Sequence, residues 1–237
     1  MIPFHLERVW SVLPDILSKF PKTLEIVVLT AFLGAILGAM LAKWHLQTGS
    51  VKYKIAQYYI SAMRCTPPIV LIFLVFYAFP KLIETIFLID INGWPKSIFV
   101  ISALVLLFSA NIAVTFEAAY LAVPKGQTEA GLVSGLSETR TFFRIVLPQA
   151  LVIALPNIAN NLLTLLKEGS LAYMIGYVDI MGQAQNIISR NLGNFGLETY
   201  VAVTLVYWVV ALVIEGGSLQ LEKILSRHQG QRLEGQT

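Results

Sequence analysis

Charge is scarce in this chain. Only 13% of its 237 residues are Asp, Glu, Lys or Arg, against roughly 25% in a typical soluble domain. That shortage argues against a water-soluble enzyme, a disordered chain and a nucleic-acid-binding surface. Lysine and arginine outnumber acidic residues by 17 to 14, yet they form no dense basic block. Cysteine occurs once, at Cys65, which excludes an internal disulfide framework and a cysteine-rich metal site. The three histidines, His5, His45 and His228, lie far apart, against a zinc cluster. There is no GxxxxGK loop followed by Ser or Thr, no HExxH metal helix and no GxSxG nucleophile elbow. Uphill transport by such a chain draws its energy from a partner or an ion gradient.

Apolar sequence is abundant instead: 56% of residues are hydrophobic. Uncharged stretches run through Ile26–Ala42, Cys65–Pro80, Ser97–Phe116, Ile145–Leu166 and Thr199–Ile214, with 17, 16, 20, 22 and 16 residues. About 20 apolar residues cross the hydrocarbon core as a helix, and the shorter stretches gain length by tilting their flanks or by including Ile55–Met63, which is also uncharged. Too little polar sequence remains to cover five buried helices in water. The fold class expected is therefore an all-α polytopic membrane protein with five transmembrane helices.

Five crossings place the termini on opposite sides. Segments 43–64, 117–144 and 215–237 share one side with ten Lys and Arg, and the other side holds seven. This bias predicts an outside N-terminus and a cytoplasmic C-terminus. Met1–Lys22 is interrupted by charges and prolines, unlike a cleavable signal peptide.

The longest cytoplasmic segment between crossings runs from Val123 to Ala150. Pro124, Lys125 and Gly126 signal a turn. A short helix over Gln127–Val133 follows, with Glu129 near its N-terminal end, where a carboxylate favours the helix dipole. Gly135 and Ser137 interrupt it, a second helix carries Phe142 and Phe143, and Pro148 fits the opening turn of the fourth crossing. Composition leaves two readings open: an amphipathic interfacial loop, or a helix–turn–helix knob that docks another protein.

Glu129-Ala130-Gly131, Gly135 and Ile145-Val146-Leu147-Pro148 keep the spacing EAA-x3-G-x9-I-x-LP. In this the chain resembles the membrane subunits of ABC importers. Pro124-Lys125-Gly126-Gln127, Gly135-Leu136-Ser137, Arg64-Cys65-Thr66-Pro67, Leu166-Lys167-Glu168-Gly169-Ser170-Leu171 and Gln183-Ala184-Gln185 resemble the polar amino-acid uptake subfamily. Leu197-Glu198-Thr199-Tyr200 and Val206-Tyr207-Trp208 resemble its cystine and sulfur amino-acid branch.

The resemblance implies a type I importer permease of a bacterial inner membrane, one domain over 1–237 with a cytoplasmic coupling loop at about 124–147. A second permease subunit, identical or homologous, would complete the pathway. Two ABC ATPase subunits would bind ATP and Mg, so this chain carries no cofactor and is not catalytic. An extracytoplasmic amino-acid-binding protein would deliver substrate. The coupling residues implied are Gly126, Gln127, Glu129, Ala130, Gly131, Gly135, Leu136 and Ser137. The alternative from another class, a secondary transporter or channel subunit, leaves the EAA spacing unexplained, and no internal repeat supports it.

The chain also departs from the pattern. Gly131 replaces an alanine, at a helix-propensity cost of up to about 1 kcal/mol, or allows closer docking. Cys65 replaces the glycine of RGTP, and Gly169 the usual threonine. In the third crossing Val114 stands at the usual acidic position and Glu117 at the usual arginine position. A charge within a membrane normally faces a cavity or a partner. Candidate pathway residues are therefore Asn111, Thr115 and Glu117, with Asn160 and Asn161 of the fourth crossing and Glu168 just after it. Glu117 alternatively lies solvated at the helix end. Gly169–Asn194, dotted with glycine and partly apolar, is expected to be a re-entrant or outer gating segment.

Overall fold

A computed structural model describes residues 4–234, with side chains placed through Leu225. Arg227 and Arg232, counted above for orientation, lie outside the described side chains. In chain order the helices are α1 (Leu6–Leu17), α2 (Phe20–His45), α3 (Val51–Cys65), α4 (Pro68–Phe73) and α5 (Phe79–Phe87). Then come α6 (Lys96–Ala122), α7 (Lys125–Val133), α8 (Glu138–Thr141), α9 (Leu147–Gly169), α10 (Ile180–Arg190) and α11 (Gly196–Glu234). No strand occurs among the described residues. Among the described residues five helical runs are long and apolar enough to cross a membrane: Phe20–His45, Pro68–Phe87, Lys96–Ala122, Glu138–Ile175 and Gly196–Leu225.

The core is built around α6, the most enclosed of these runs. Its Val100, Ala103, Leu104, Ala110 and Ala113 are fully buried. Lipid tails give no hydrophobic drive for helix pairing, so close approach through small residues matters. Gly34 and Gly38 of α2 provide it: a Cβ on Gly34 would stand 2.7 Å from Phe108 Cδ1, and one on Gly38 would overlap Ile112. Glycine here permits helix contact rather than a turn.

The second crossing differs from the uncharged stretch 65–80. Tyr59 of α3 donates to the Leu106 carbonyl at 3.0 Å, Tyr53 stacks on a histidine paired with Glu117, and the Phe76 ring meets Phe99 edge-on at 5.5 Å. Contacts thus climb α6 backwards from Glu117 to Phe99, 18 residues, as the chain runs forwards from Tyr53 to Phe76. Eighteen residues rise about 27 Å, nearly the hydrocarbon depth. The crossing therefore starts at Val51 and is broken at Thr66-Pro67, because two consecutive prolines remove two N–H donors. Arg64 belongs to this crossing and not to a loop, so it drops out of the charge comparison made above.

Among the described residues two π-helical turns, Leu74–Ala78 and Phe142–Val146, each end two residues before a proline (Pro80 and Pro148). The ring lacks an N–H and crowds the preceding turn, so the backbone widens there instead of breaking. Pro148 consequently does not open the fourth crossing: helical backbone already runs from Glu138 and continues to Ile175.

Candidate functional site

The loop after α6 forms a compact corner. Helix α7 starts at Lys125, two residues earlier than expected, so Glu129 lies beyond the first turn and is exposed rather than capping the dipole. A left-handed Gly135 (φ 82°) ends the helix, with Leu136 N–H returning to the Gly131 carbonyl at 3.1 Å and Gly135 N–H to Leu132 at 3.0 Å. This is a Schellman closure, which needs glycine's freedom at positive φ. Ser137 then caps α8, its Oγ accepting from Arg140 N–H at 3.4 Å.

Gly131 is the buried residue of α7, held against Thr141 and Ile145. Gln149 of α9 donates to Gln127 Oε1 at 3.3 Å and ties the helix back to the bundle. Opposite that face Gly126, Glu129, Ala130, Leu132 and Val133 are exposed, Val133 by 89%. Gln127 and Leu136 are half-buried, and Gly135 and Ser137 are exposed at the turn. The corner is thus rigid behind and open in front.

The polar residues of α6 and α9 divide into two groups. Asn161 Nδ2 donates to Thr115 Oγ1 at 2.9 Å, and Thr115 donates to the Asn111 carbonyl at 3.3 Å. These three join the helices to one another. Asn157, Asn160 and Lys167 are exposed on α9, with Thr164 and Glu168 half-buried beside them. Recurring at helical spacing, they form one polar stripe. Charges and amides aimed at lipid are costly, so such a stripe faces a cavity or a partner. Arg64, at the break in the second crossing, is exposed under the same constraint. Sequence reasoning missed it because its proximity to Lys52 and Lys54 made it look like loop sequence.

Glu117 stands apart from both groups. Its Oε2 lies 2.7 Å from His45 Nδ1 at the end of α2, and both side chains are about one-fifth exposed. It is neither free in a pathway nor simply solvated.

The stretch 169–194 forms a 3-10 turn (Ser170–Ile175), a left-handed Gly176 and α10. Asp179, fully buried, caps α10: its Oδ1 accepts from Gly182 N–H at 2.8 Å. Its Oδ2 has no hydrogen-bond partner, and the equally unpaired Tyr207 hydroxyl faces it without closing a bond of good geometry. Burial pushes the Asp179 carboxyl up to about 6. Thr23 of α2 accepts from Ile180 N–H at 3.3 Å, so α10 is anchored to α2 as well.

The sequence model described as "Binding-protein-dependent transport system inner membrane component" matches residues 30–224. The L-cystine transport system permease protein TcyL of Bacillus subtilis is 36% identical over 95% of this chain and 93% of its own length. A second Bacillus subtilis L-cystine permease, TcyB, is 30% identical over 96% and 93%. Among solved structures, an amino acid ABC transporter crystallised with histidines superposes with a TM-score of 0.78, at 25% identity over 94% of this chain and 99% of the other.

Proposed function

Because this chain belongs to the family of binding-protein-dependent transport system inner membrane components, we propose that it is the permease subunit of an ATP-driven polar amino-acid importer, with cystine as the leading substrate. That it is a multi-pass inner-membrane ABC permease follows from the family match and the five apolar helices. The single observation that carries the coupling assignment is the α7 corner, braced from behind by Thr141, Ile145 and Gln149 and exposed in front.

In this reading the exposed face of α7, with Gly126, Glu129, Ala130 and the turn at Gly135–Ser137, seats in a groove of a separate ABC ATPase. ATP and Mg bind there, and this chain performs no hydrolysis. The side bearing α7 is cytoplasmic, the C-terminus lies with it and the N-terminus lies outside. The whole chain acts as one permease domain, paired with a second permease subunit. An extracytoplasmic binding protein delivers the amino acid to the opposite face.

The α9 stripe, with Asn160, Lys167 and Glu168, lines the pathway between the two permeases. Asn111, Thr115 and Asn161 hold its wall, and Arg64 faces it from the broken crossing. A zwitterion fits a path offering amides and charges of both signs. Closure of the ATPases on ATP draws the two α7 helices together and changes which face is open. ATP must bind the two states with different affinity for this to happen.

The test is recovery of the tagged chain from its native membrane, paired with Glu129→Arg combined with Val133→Asp. Both positions are exposed, so the variant should keep its melting temperature, lose an ATPase recovered in equal amount with the wild type, and abolish cystine uptake. A wild-type preparation without an ATPase, or a variant that retains it, would overturn the assignment.

A further inference from the structure

The polypeptide turns sharply between α2 and α3, and beyond the apolar cluster of Leu41, Ala42, Ala56, Ile60, Ala110 and Ala113 the turn itself is held by polar and aromatic groups. Gln47, Thr48 and Gly49 are exposed, and Gly49 takes a left-handed φ of 82°. Ser50 caps α3 by accepting from Tyr53 N–H at 3.0 Å, which orients the first turn. The Tyr53 ring is thereby laid on His45, with centroids 4.9 Å apart and planes 17° from parallel. His45 reaches across to Glu117 on α6. The turn is therefore clamped to α6 by an imidazole held between a phenol ring and a carboxylate.

The position of the clamp matters more than its strength. The glycine contacts of α2 with α6 lie at Gly34 and Gly38, eleven and seven residues before His45. At 1.5 Å per residue that is about 10 to 17 Å away. Leu41 and Ala42 carry apolar packing on toward the turn against Ala110 and Ala113, and the His45–Glu117 pair is the polar tie beyond it. Beyond Glu117, α6 continues only to Ala122 before Pro124 and α7. Val123 is buried against the Val146, Ala150 and Ala154 cluster, so α7 hangs rigidly from the α6 end. Glu117 thus sits on the short segment between the deep helix packing and the exposed corner.

We propose that His45 and Glu117 are positioning residues for coupling, which make the α2–α3 turn and the end of α6 move as one body with α7. Displacement of α7 then reaches α2 and the first arm of the broken crossing without loss at the helix ends. The inference rests on the reading of α7 as the ATPase contact. It assigns Glu117 to force transmission and away from the substrate.

The experiment uses the complete transporter in proteoliposomes, measuring amino acid taken up per ATP hydrolysed, ATPase rate, subunit ratio and melting temperature. Glu117→Gln and His45→Ala should retain the ATPase subunits and their hydrolysis rate. Uptake per ATP should fall by about fivefold or more, the lower range for coupling between sites. The exchange of His45→Glu with Glu117→His should recover most of it, because the pair is restored in reverse. Tyr53→Leu, which keeps both partners, should give an intermediate loss. Unchanged uptake per ATP would overturn the proposal. So would parallel loss of hydrolysis, uptake and melting temperature, which a merely structural pair would give. A wild-type preparation lacking ATPase subunits would instead overturn the reading on which it rests.

Discussion

Asn161 on α9 donates to Thr115 on α6 at 2.9 Å while Thr115 donates onward to the Asn111 carbonyl at 3.3 Å. One hydroxyl therefore serves as acceptor and donor between two crossings. Thr115→Val keeps the shape but strands the Asn161 amide. Such interhelical bonds average about 0.6 kcal/mol, with a maximum near 1.7, so a modest fall in melting temperature is expected. Adding Asn161→Leu should recover stability by removing the stranded group. Uptake should stay low in the double variant if the pair sets the pathway wall; full uptake would show that it only joins helices.

The glycines of α2 should respond unequally to a methyl group. At Gly38 a Cβ meets Ile112 and also stands 3.0 Å from the Ser109 carbonyl, which is backbone and cannot turn away. At Gly34 the obstacle is the edge of the Phe108 ring. Gly38→Ala should destabilise by about 1–3 kcal/mol, the usual cost of overpacking. Gly34→Ala should cost less because the ring tilts. Thermal melting of the two variants checks the order.

Gly131 is explained by its own chain. A Cβ there would lie 2.6 Å from Thr141 Cγ2 and 2.9 Å from Thr141 Oγ1, and that hydroxyl is buried without a partner. Gly131→Ala should loosen the α7–α8 corner and lower coupled uptake despite alanine's better helix propensity. Adding Thr141→Ala removes the two closest atoms, leaves only the flexible Ile145 Cδ1 at 3.0 Å, and should restore uptake. If the double variant stays defective, glycine is required by the docking surface and not by the corner.

Asp179 sets a pH dependence. Its folded pKa of about 6 lies above the ordinary 3.8, so between those values the folded state binds more protons than the unfolded. Its contribution to stability is then greatest below about pH 4, declines as pH rises to about 6, and stays reduced above. Two pKa units correspond to about 3 kcal/mol. Asp179→Asn keeps a cap for α10 and removes the buried charge. It should melt higher than wild type at pH 7.5 and equal to it near pH 4. Equal melting at both would show that the carboxyl is not strained by burial.

Much of the fold was legible in the sequence, for a reason particular to membranes. Five charge-free runs locate crossings because a charge in hydrocarbon is costly wherever it falls, and four of the five runs lie inside single helical segments. The second did not. Arg64 and the Thr66-Pro67 break look like the end of a loop until Tyr59 and Phe76 show the chain continuing along α6. Local signals at Gly135 and Ser137 gave the helix stop and the next start correctly, since each acts on nearby backbone. Pro148 misled because a widened π turn absorbs it inside a longer helix.

The sequence by itself determined that this chain belongs in a membrane, where most of its crossings lie, and that residues 126–137 form a helix and turn with the EAA spacing. These are properties of composition and of short-range backbone chemistry. Only the tertiary structure decided what each polar side chain does. Glu117 meets His45 from 72 residues away, Asn161 meets Thr115 from 46, and Tyr207 faces Asp179 from the next crossing. Pairings at that separation depend on how helices pack side by side, and the periodicity of one helix carries no information about which neighbour its face will meet.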